Sequence, residues 1–412
     1  MNPNTQKKVI AGNTVYTIGA GLLMNGVLQI IVYPLLNRHM GSEPLGNLLF
    51  IMGLTAIITP SIGQALNTSR LVVRRTEPVS NGDYNTMLLV YGSIGAVIAL
   101  LIAGAMGQGT LGGIFGAAAT FALILLMVFR YYGDVEFRLN LNYRNYFIYY
   151  AILTAGYLIG FGLYFITGIW YLIFVTGEAM AICYLVLRGT IFKNFLKTSD
   201  AFRVAVTRGT FLIFSYVITN LTLNIDRLVL KMLIDDLAVT QYYVVSLIGK
   251  TMVLLVAPIN TIIISYLTKR KENLDRKQYM MFVGGGLLVS LVFFLGAEIA
   301  TPIFLMLFYG NLYESVRGLI TIVNASQILG LLSAYIFIVV LTFTEEKWQM
   351  ILQTIHLIII SLLVFFMTRG GDLHGFSIAV LLANTIRVIT VITFGLIRVG
   401  KRQTDSGTSR RS

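Results

Sequence analysis

Long apolar runs separated by short polar segments repeat along the whole chain. A helix that crosses the hydrocarbon core of a bilayer needs about 20 mostly apolar residues. Twelve runs of this kind occur, at residues 10–36, 45–66, 86–106, 113–129, 147–166, 169–187, 210–233, 239–267, 280–308, 318–342, 349–367 and 376–397. The pattern predicts an all-α integral membrane protein with twelve transmembrane helices, here called spans 1 to 12. The first run is longer than the apolar part of a secretory signal, so we expect it to be retained as a span.

The connections between the spans are short and suggest a division into two halves. Only Thr167 and Gly168 separate spans 5 and 6, which predicts a tight antiparallel hairpin. The longest connection is the basic stretch 188–208, with six spans on either side. We therefore expect two six-helix bundles, residues 1–200 and 201–400, followed by a basic cytoplasmic tail at 401–412. Both halves would start on the same side, which predicts a parallel pseudo-repeat about an axis along the membrane normal.

Composition and charge agree with a membrane location. Hydrophobic residues make up 56% of the chain and charged residues 12%, too few charges to cover a water-facing globular surface. The net charge is +13, but the basic residues fall in short loops and therefore indicate topology rather than nucleic-acid binding. By the boundaries above, 24 of the 31 Lys and Arg residues, Arg130 among them, lie on the side of both termini. This asymmetry predicts cytoplasmic termini.

Motifs for a cofactor, a metal or catalysis are not convincing. The chain has one cysteine and three scattered histidines, His39, His356 and His374, so the sequence predicts no zinc or haem site. The glycine pattern at 107–112 lacks the strand and helix that a dinucleotide site requires and is interpreted as an outer turn. We expect no cofactor and no enzymatic activity.

Span 7 carries the clearest polar pattern inside the predicted spans. A charge at the bilayer centre costs about 2.5 to 3.5 kcal/mol on insertion scales, so a retained charge normally faces a partner or a water-filled cavity. One helical face of span 7 presents a polar stripe made of Tyr216, Asn220, Asn224, Arg227 and Lys231. Asp226 lies on its flank. We expect the stripe to line a substrate cavity, and bonding between helices is the alternative.

Other polar residues lie near the middle of spans 1, 6, 8 and 12. Lys250 and Arg387 would make the cavity electropositive and attract an anionic head group. Asn25 and Gln29 on span 1 would add hydrogen bonds to a substrate with sugar groups. Glu178 would either pair with one of the cations inside the spans or, like Asp226, serve ion coupling, because a buried carboxyl can exchange protons.

The stretch 224–245, NIDRLVLKMLIDDLAVTQYYVV, has an Asp-Arg pair, an apolar run, a short turn and an aromatic-rich second helix. It resembles the start of the second half of bacterial polysaccharide flippases of the multidrug/oligosaccharidyl-lipid/polysaccharide exporter superfamily. Residues 13–75 look like the opening of the same family. The resemblance implies a flippase in the bacterial cytoplasmic membrane that moves an undecaprenyl-pyrophosphate-linked oligosaccharide to the outer leaflet by alternating access, for capsule, exopolysaccharide or O-antigen assembly.

The same resemblance implies the partners. These are the lipid-linked oligosaccharide, membrane lipids and a polysaccharide polymerase with other assembly proteins, and no nucleic acid. Two alternatives stay open. A cation-coupled multidrug exporter of the same superfamily would need an acidic and aromatic site, and a membrane polysaccharide polymerase would need a larger outer loop than any found here.

Overall fold

A computed structural model describes residues 3–107, 109–268, 274–344 and 347–408. Side chains are described between 12 and 252, apart from 108, and between 274 and 399, apart from 345–347, 349 and 350. The described residues form helices joined by turns and loops. This is the expected result in a bilayer, because a helix satisfies all its backbone hydrogen bonds internally.

Twelve long helices in the described part of the chain correspond to the twelve predicted spans. They are α1 (Pro3–Gly26, continued by the π-helical segment Val27–Val32 and by Tyr33–Met40), α2 (Ser42–Val73), α3 (Asn81–Ala105), α4 (Gly113–Leu139), α5 (Tyr143–Thr167), α6 (Tyr171–Arg188), α7 (Phe202–Leu233), α8 (Asp236–Thr268), α9 (Arg276–Phe308), α10 (Ile320–Leu341), α11 (Lys347–Met367) and α12 (Leu373–Thr408). Gly310–Val316 and the 3-10 turn Arg317–Leu319 precede α10.

The membrane fold class is confirmed. Among the described residues, ten helices are long and apolar enough to cross a membrane, and α11 adds the shorter apolar stretch Ile351–Met367. Large apolar side chains such as Leu101, Phe211 and Leu288 are 68%, 75% and 68% exposed. An apolar surface of this extent is typical of contact with lipid.

Helix boundaries differ from the apolar runs where polar residues extend a helix beyond the bilayer core. α4 continues to Leu139 and α7 already begins at Phe202. The backbone of α12 continues to Thr408, into the predicted basic tail, and residues 409–412 lie outside the described residues. α3 begins with a capping box in which the Ser80 hydroxyl accepts from the Asp83 amide, a common way to satisfy the first amides of a helix.

The predicted hairpin between α5 and α6 is confirmed, and glycines allow the two helices to pack closely. Gly168 ends α5 with a left-handed φ of 71°, a conformation that favours glycine. A Cβ atom on Gly156 would lie 2.6 Å from Cα of Gly177, and one on Gly160 would lie 2.7 Å from Cα of Ile173. Small residues at such positions are typical of tight helix contacts in membranes.

The chain divides into two compact units, Met1–Met232 and Leu233–Ser412. In the N-terminal unit, α2 is the most enclosed of the ten membrane helices. It packs against α4 at Gly63, where a Cβ atom would lie 2.5 Å from the Val128 carbonyl oxygen. The boundary between the units follows α7, whereas the sequence predicts a division before span 7. The division into six plus six helices remains a prediction.

The long connection between α6 and α7 is held against the N-terminal unit by buried carboxylates. Asp83 accepts hydrogen bonds from the Ser199 amide and hydroxyl, both at 2.7 Å. Glu136 accepts from the Thr190 amide at 2.9 Å and from the Ile191 amide at 3.0 Å. Because these bonds satisfy backbone amides with charged acceptors, the connection is an ordered part of the unit.

In the C-terminal unit, α10 provides contacts to its neighbours α8, α9 and α12. Asn324 donates to Glu298 of α9 at 2.9 Å, and Asn384 of α12 donates to the Ser326 carbonyl at 3.0 Å. A Cβ atom on Gly249 of α8 would lie 2.6 Å from Cβ of Gln327. Side-chain bonds of this kind are typical of contacts between membrane helices.

Candidate functional site

The polar stripe of α7 packs along α2 within the N-terminal unit. The Tyr216 and Thr68 hydroxyls are 3.2 Å apart, and Asn220 donates to the Ser61 hydroxyl at 3.0 Å. The Asn224 amide donates to the Asn220 carbonyl within α7 at 3.0 Å. These side chains are half-buried. The stripe therefore bonds α7 to α2, as the alternative interpretation of the sequence pattern expected. Its role in lining a substrate cavity remains a prediction.

The cationic end of the stripe also contacts α2. The Lys231 ammonium donates to Asn47 Oδ1 at 2.9 Å and lies 5.2 Å from the centre of the Phe50 ring. Arg227 packs over Gly53, where a Cβ atom would lie 3.1 Å from the Arg227 side chain. Asp226 is half-buried beside it. Both cations thus have defined positions in the helix pair.

Asn25 and Gln29 lie where α1 changes its helical geometry. Asn25 donates to the Gly21 carbonyl at 2.9 Å, and Gln29 lies in the π-helical segment Val27–Val32. Both side chains are half-buried. Segments of π-helix are frequent at functional sites, but the contact of these two residues with a substrate remains a prediction.

Glu178 forms a buried ion pair, and its partner is Arg130. Arg130 Nε lies 2.9 Å from Glu178 Oε2, and the two side chains are 2% and 0% exposed. The assignment of Arg130 to the cytoplasmic flank was therefore wrong: α4 continues past the end of the apolar run at 129, and Arg130 lies inside the helix bundle. The sequence indicated a pair for Glu178 but looked for the partner among the cations in other spans.

Aromatic side chains enclose this pair. The Tyr157 hydroxyl donates to Glu178 Oε1 at 2.7 Å, and the Arg130 guanidinium lies 3.8 Å from the centre of the Tyr131 ring. One turn along α4, Asp134 is 2% exposed and accepts from the Tyr150 hydroxyl at 3.2 Å. The arrangement is an acidic and aromatic cluster among α4, α5 and α6 that holds one cation of the chain itself.

Lys250 and Arg387 both lie in the C-terminal unit, and the structure places them in different surroundings. Lys250 is half-buried on α8, next to the contact of Gly249 with Gln327. Arg387 lies near the middle of α12 and lines a small pocket. All the other predicted site residues lie in the N-terminal unit.

The pocket at Arg387 brings together α10, α11 and α12 and includes a residue that the sequence did not assign. It is lined by Phe337, Leu352, Gln353, Ile355, His356, Ile359, Arg387, Thr390 and Val391. His356 is 4% exposed. Its position near the middle of span 11, at the depth of Arg387 in span 12, was the available signal, but the sequence alone does not show that spans 11 and 12 place these residues side by side.

No protein-family model and no curated protein matches the chain, but solved structures do. A multidrug resistance MATE family transporter of the MOP superfamily matches in its inward-facing conformation with a TM-score of 0.63 and 13% identity, over 95% of this chain and 96% of that chain. An outward-facing multidrug resistance MATE family transporter of the MOP superfamily matches with a TM-score of 0.57 and 13% identity, over 96% of each chain. The chain has the fold of the MATE transporters.

A further match is a MOP superfamily transporter from Pyrococcus furiosus Vc1, with a TM-score of 0.52 and 13% identity over 95% of this chain and 93% of that chain. At this identity the shared property is the MATE fold itself. The roles of individual residues must therefore be argued from the contacts of this chain.

Proposed function

We propose that the chain is a membrane transporter that works by alternating access. The observation that carries the proposal is its MATE fold, which matches both the inward-facing and the outward-facing conformation of one transporter family over nearly the whole chain. An alternating-access protein must be able to adopt both arrangements.

For the substrate, export of amphiphilic drugs is the candidate that the matched structures support best. Two of them are described as multidrug resistance transporters. In this chain, the cluster around Glu178 is acidic and aromatic, as a site for cationic drugs should be. The cluster is fully enclosed here, so access to it would require a conformational change of α4, α5 or α6.

A lipid-linked oligosaccharide is the second candidate, and the charges of this chain favour it. The Glu178 carboxylate is already paired with Arg130, and Glu298 accepts from Asn324. Arg387, by contrast, has no ion pair or hydrogen bond among the described residues. An unpaired cation favours a substrate with an anionic group such as a pyrophosphate. The matched transporter from Pyrococcus furiosus is described as having a binding pocket of reverse polarity, so pocket polarity varies within this fold.

Depletion of the protein in its host separates the two candidates. For a drug exporter, we expect increased susceptibility to cationic amphiphilic drugs and unchanged lipid-linked intermediates. For a flippase, we expect lipid-linked repeat units to accumulate in the inner leaflet, and Lys250→Ala and Arg387→Ala to fail in complementation at normal protein level. Glu314→Gln, an exposed change, serves as a control that should complement fully. If neither drug susceptibility nor leaflet distribution changes, both substrate proposals are wrong.

Glu178 is the candidate for ion coupling under either substrate. A proton on its carboxylate would neutralise the partner of a fully buried Arg130, and an uncompensated buried charge is unstable. Protonation would therefore favour a rearranged conformation. We expect transport to slow when an uncoupler collapses the proton gradient. Transport that is insensitive to both an uncoupler and sodium removal would contradict coupling at this residue and at Asp226.

A further inference from the structure

Helix α7 contacts the rest of the N-terminal unit near both of its ends. Near its start, the Thr210 hydroxyl lies 2.6 Å from the Tyr91 hydroxyl of α3. Near its end, the Lys231 ammonium donates to Asn47 of α2 at 2.9 Å. The two contacts are separated by about 32 Å of helix at 1.5 Å per residue, which is roughly the thickness of the hydrocarbon core of a bilayer.

Further contacts join these two ends. In the middle of α7, Asn220 donates to the Ser61 hydroxyl of α2 at 3.0 Å. Closer to the end, a Cβ atom on Gly53 of α2 would lie 3.5 Å from Leu228 Cδ1. Rocking of one body against another parts their interface on one side of the membrane while closing it on the other. The contact of α7 with α2 and α3 is closed on both sides and therefore does not have the form of such an interface.

The connection that leads into α7 is fixed to the same unit. Asn81, at the start of α3, donates to the Thr190 and Lys193 carbonyls at 2.9 and 3.1 Å. These bonds add to those that Asp83 and Glu136 accept from the connection. A hinge must absorb large changes of backbone dihedral angles. Such changes in this connection would break bonds to partly buried groups, so it is poorly suited to be the hinge.

The turn after α7 has the opposite character. Only Ile234 and Asp235 separate α7 from α8, and the boundary between the two units falls between Met232 and Leu233. The Met232 and Leu233 side chains are 60% and 38% exposed. Asp235 bonds forward, accepting from the Ala238 amide of α8 at 2.7 Å. A few residues at the end of a helix are a common form of hinge.

We propose that α7 stays attached to α2 and α3 throughout the transport cycle, and that the chain bends at the α7–α8 turn instead of in the connection before α7. The N-terminal moving body then contains seven helices, and the polar stripe of α7 is a permanent joint within it. This inference rests on the proposed alternating access, because it states with which body α7 moves.

Disulfides that lock α7 to α2 test the proposal, since they should leave transport intact. In a Cys183→Ser background, Leu66→Cys with Gly209→Cys places a pair near the start of α7, where a Cβ atom on Gly209 would lie 2.8 Å from Leu66 Cδ2. Gly53→Cys with Leu228→Cys places a pair near its end. All four positions lie outside the polar stripe. Copper phenanthroline should oxidise both pairs, seen as loss of maleimide-reactive thiol, without loss of the ability to correct the depletion phenotype.

Each single-cysteine variant, oxidised in the same way, controls for the substitution and for the oxidant. The proposal is overturned if an oxidised pair loses activity that dithiothreitol restores, because α7 must then separate from α2 during transport. It is also overturned if the pairs stay reduced, because the helices are then not in contact. Failure of the native protein to correct either depletion phenotype would instead contradict the transport proposal, so the two failures are distinguishable.

A second measurement needs neither a substrate nor a disulfide. In the same background, spin labels at Leu101→Cys on α3 and Leu223→Cys on α7, which are 68% and 61% exposed, should give one narrow distance in nanodiscs at acidic and at neutral pH. Labels at Leu101→Cys and Leu291→Cys, one in each unit, should give a distance distribution that changes between these conditions. A second population in the α3–α7 pair overturns the proposal, whereas an unchanged distribution between the units contradicts alternating access.

Discussion

The guanidinium of Arg130 and the carboxylate of Glu178 are almost fully enclosed, which makes each dependent on the other. Removal of two charges from water is costly, and only their mutual attraction and good hydrogen bonding compensate for it. The Tyr157 hydroxyl supplies one such bond at 2.7 Å. Loss of either charge alone should therefore destabilise the group of α4, α5 and α6, because it leaves the other charge buried without compensation.

We expect Glu178→Leu and Arg130→Met each to destabilise the protein by about 3 to 5 kcal/mol, because each leaves one charge unpaired in the interior. The double variant should be more stable than the sum of the single effects predicts. Thermal denaturation of the four proteins in detergent measures this coupling. The exposed pair of Glu314 and Arg317, whose side chains are 72% and 65% exposed, is the control, and Glu314→Gln should change stability by less than about 1 kcal/mol. Strictly additive single effects would contradict the paired interpretation.

The sequence could predict that Glu178 needs a partner but not which cation supplies it. A carboxylate in the middle of an apolar run predicts a nearby cation from energetics alone. The identity of the partner depends on which helices are in contact. It also depends on whether a helix continues beyond its apolar run, as α4 does. Arg130 follows directly after an apolar run, a position that is typical of a membrane boundary, and only the packing of α4 against α6 shows that it is inside. His356 was missed for the same reason.

Helices α5 and α6 form a hairpin whose closeness depends on glycine. Gly156 and Gly160 are four residues apart and therefore lie on one face of α5. The face is pressed against the backbone of α6 at Gly177 and Ile173. The two-residue connection of Thr167 and Gly168 was visible in the sequence, and it is the reason why the hairpin could be predicted correctly.

Gly156→Val and Gly160→Val should each destabilise the protein by about 1 to 3 kcal/mol or more. The added side-chain atoms would overlap backbone atoms of α6, which cannot move aside. Gly162 is the matched control: it lies on the same helix, and a Cβ atom there would meet nothing within 4 Å. Gly162→Val should retain near-native stability in the same denaturation assay. Equal losses at all three positions would indicate that helix propensity, rather than the contact with α6, determines the effect.

At the scale of the whole molecule, the twelve-helix fold was predictable, whereas the division into six plus six helices remains a prediction. Apolar run length is set by bilayer thickness and can be read directly from the chain. The association of α7 with the N-terminal unit depends instead on particular side chains, such as Asn220 bonding to Ser61. A polar stripe has the same periodicity whether it faces a cavity or another helix, so the sequence pattern left both interpretations open.

Membrane orientation is a property of the whole chain and follows from its basic loops. We expect both termini in the cytoplasm, because the asymmetry of Lys and Arg remains large after Arg130 is moved inside the bundle. In a Cys183→Ser background, a membrane-impermeant maleimide added to intact cells should label Thr167→Cys at the α5–α6 turn. It should label Asn194→Cys only after permeabilisation. The reverse pattern would show that the orientation is inverted.

The anchoring of residues 189–201 by Asp83 and Glu136 has a practical consequence for protein engineering. The longest loop of a membrane protein is the usual choice for inserting a fluorescent reporter or a fusion partner. Here an insertion would separate backbone amides from the carboxylates that hold them, so the fused protein should misassemble. The turn at Gly370 and Gly371, which is exposed and makes no such bonds to carboxylates, is the better place to accept a foreign domain.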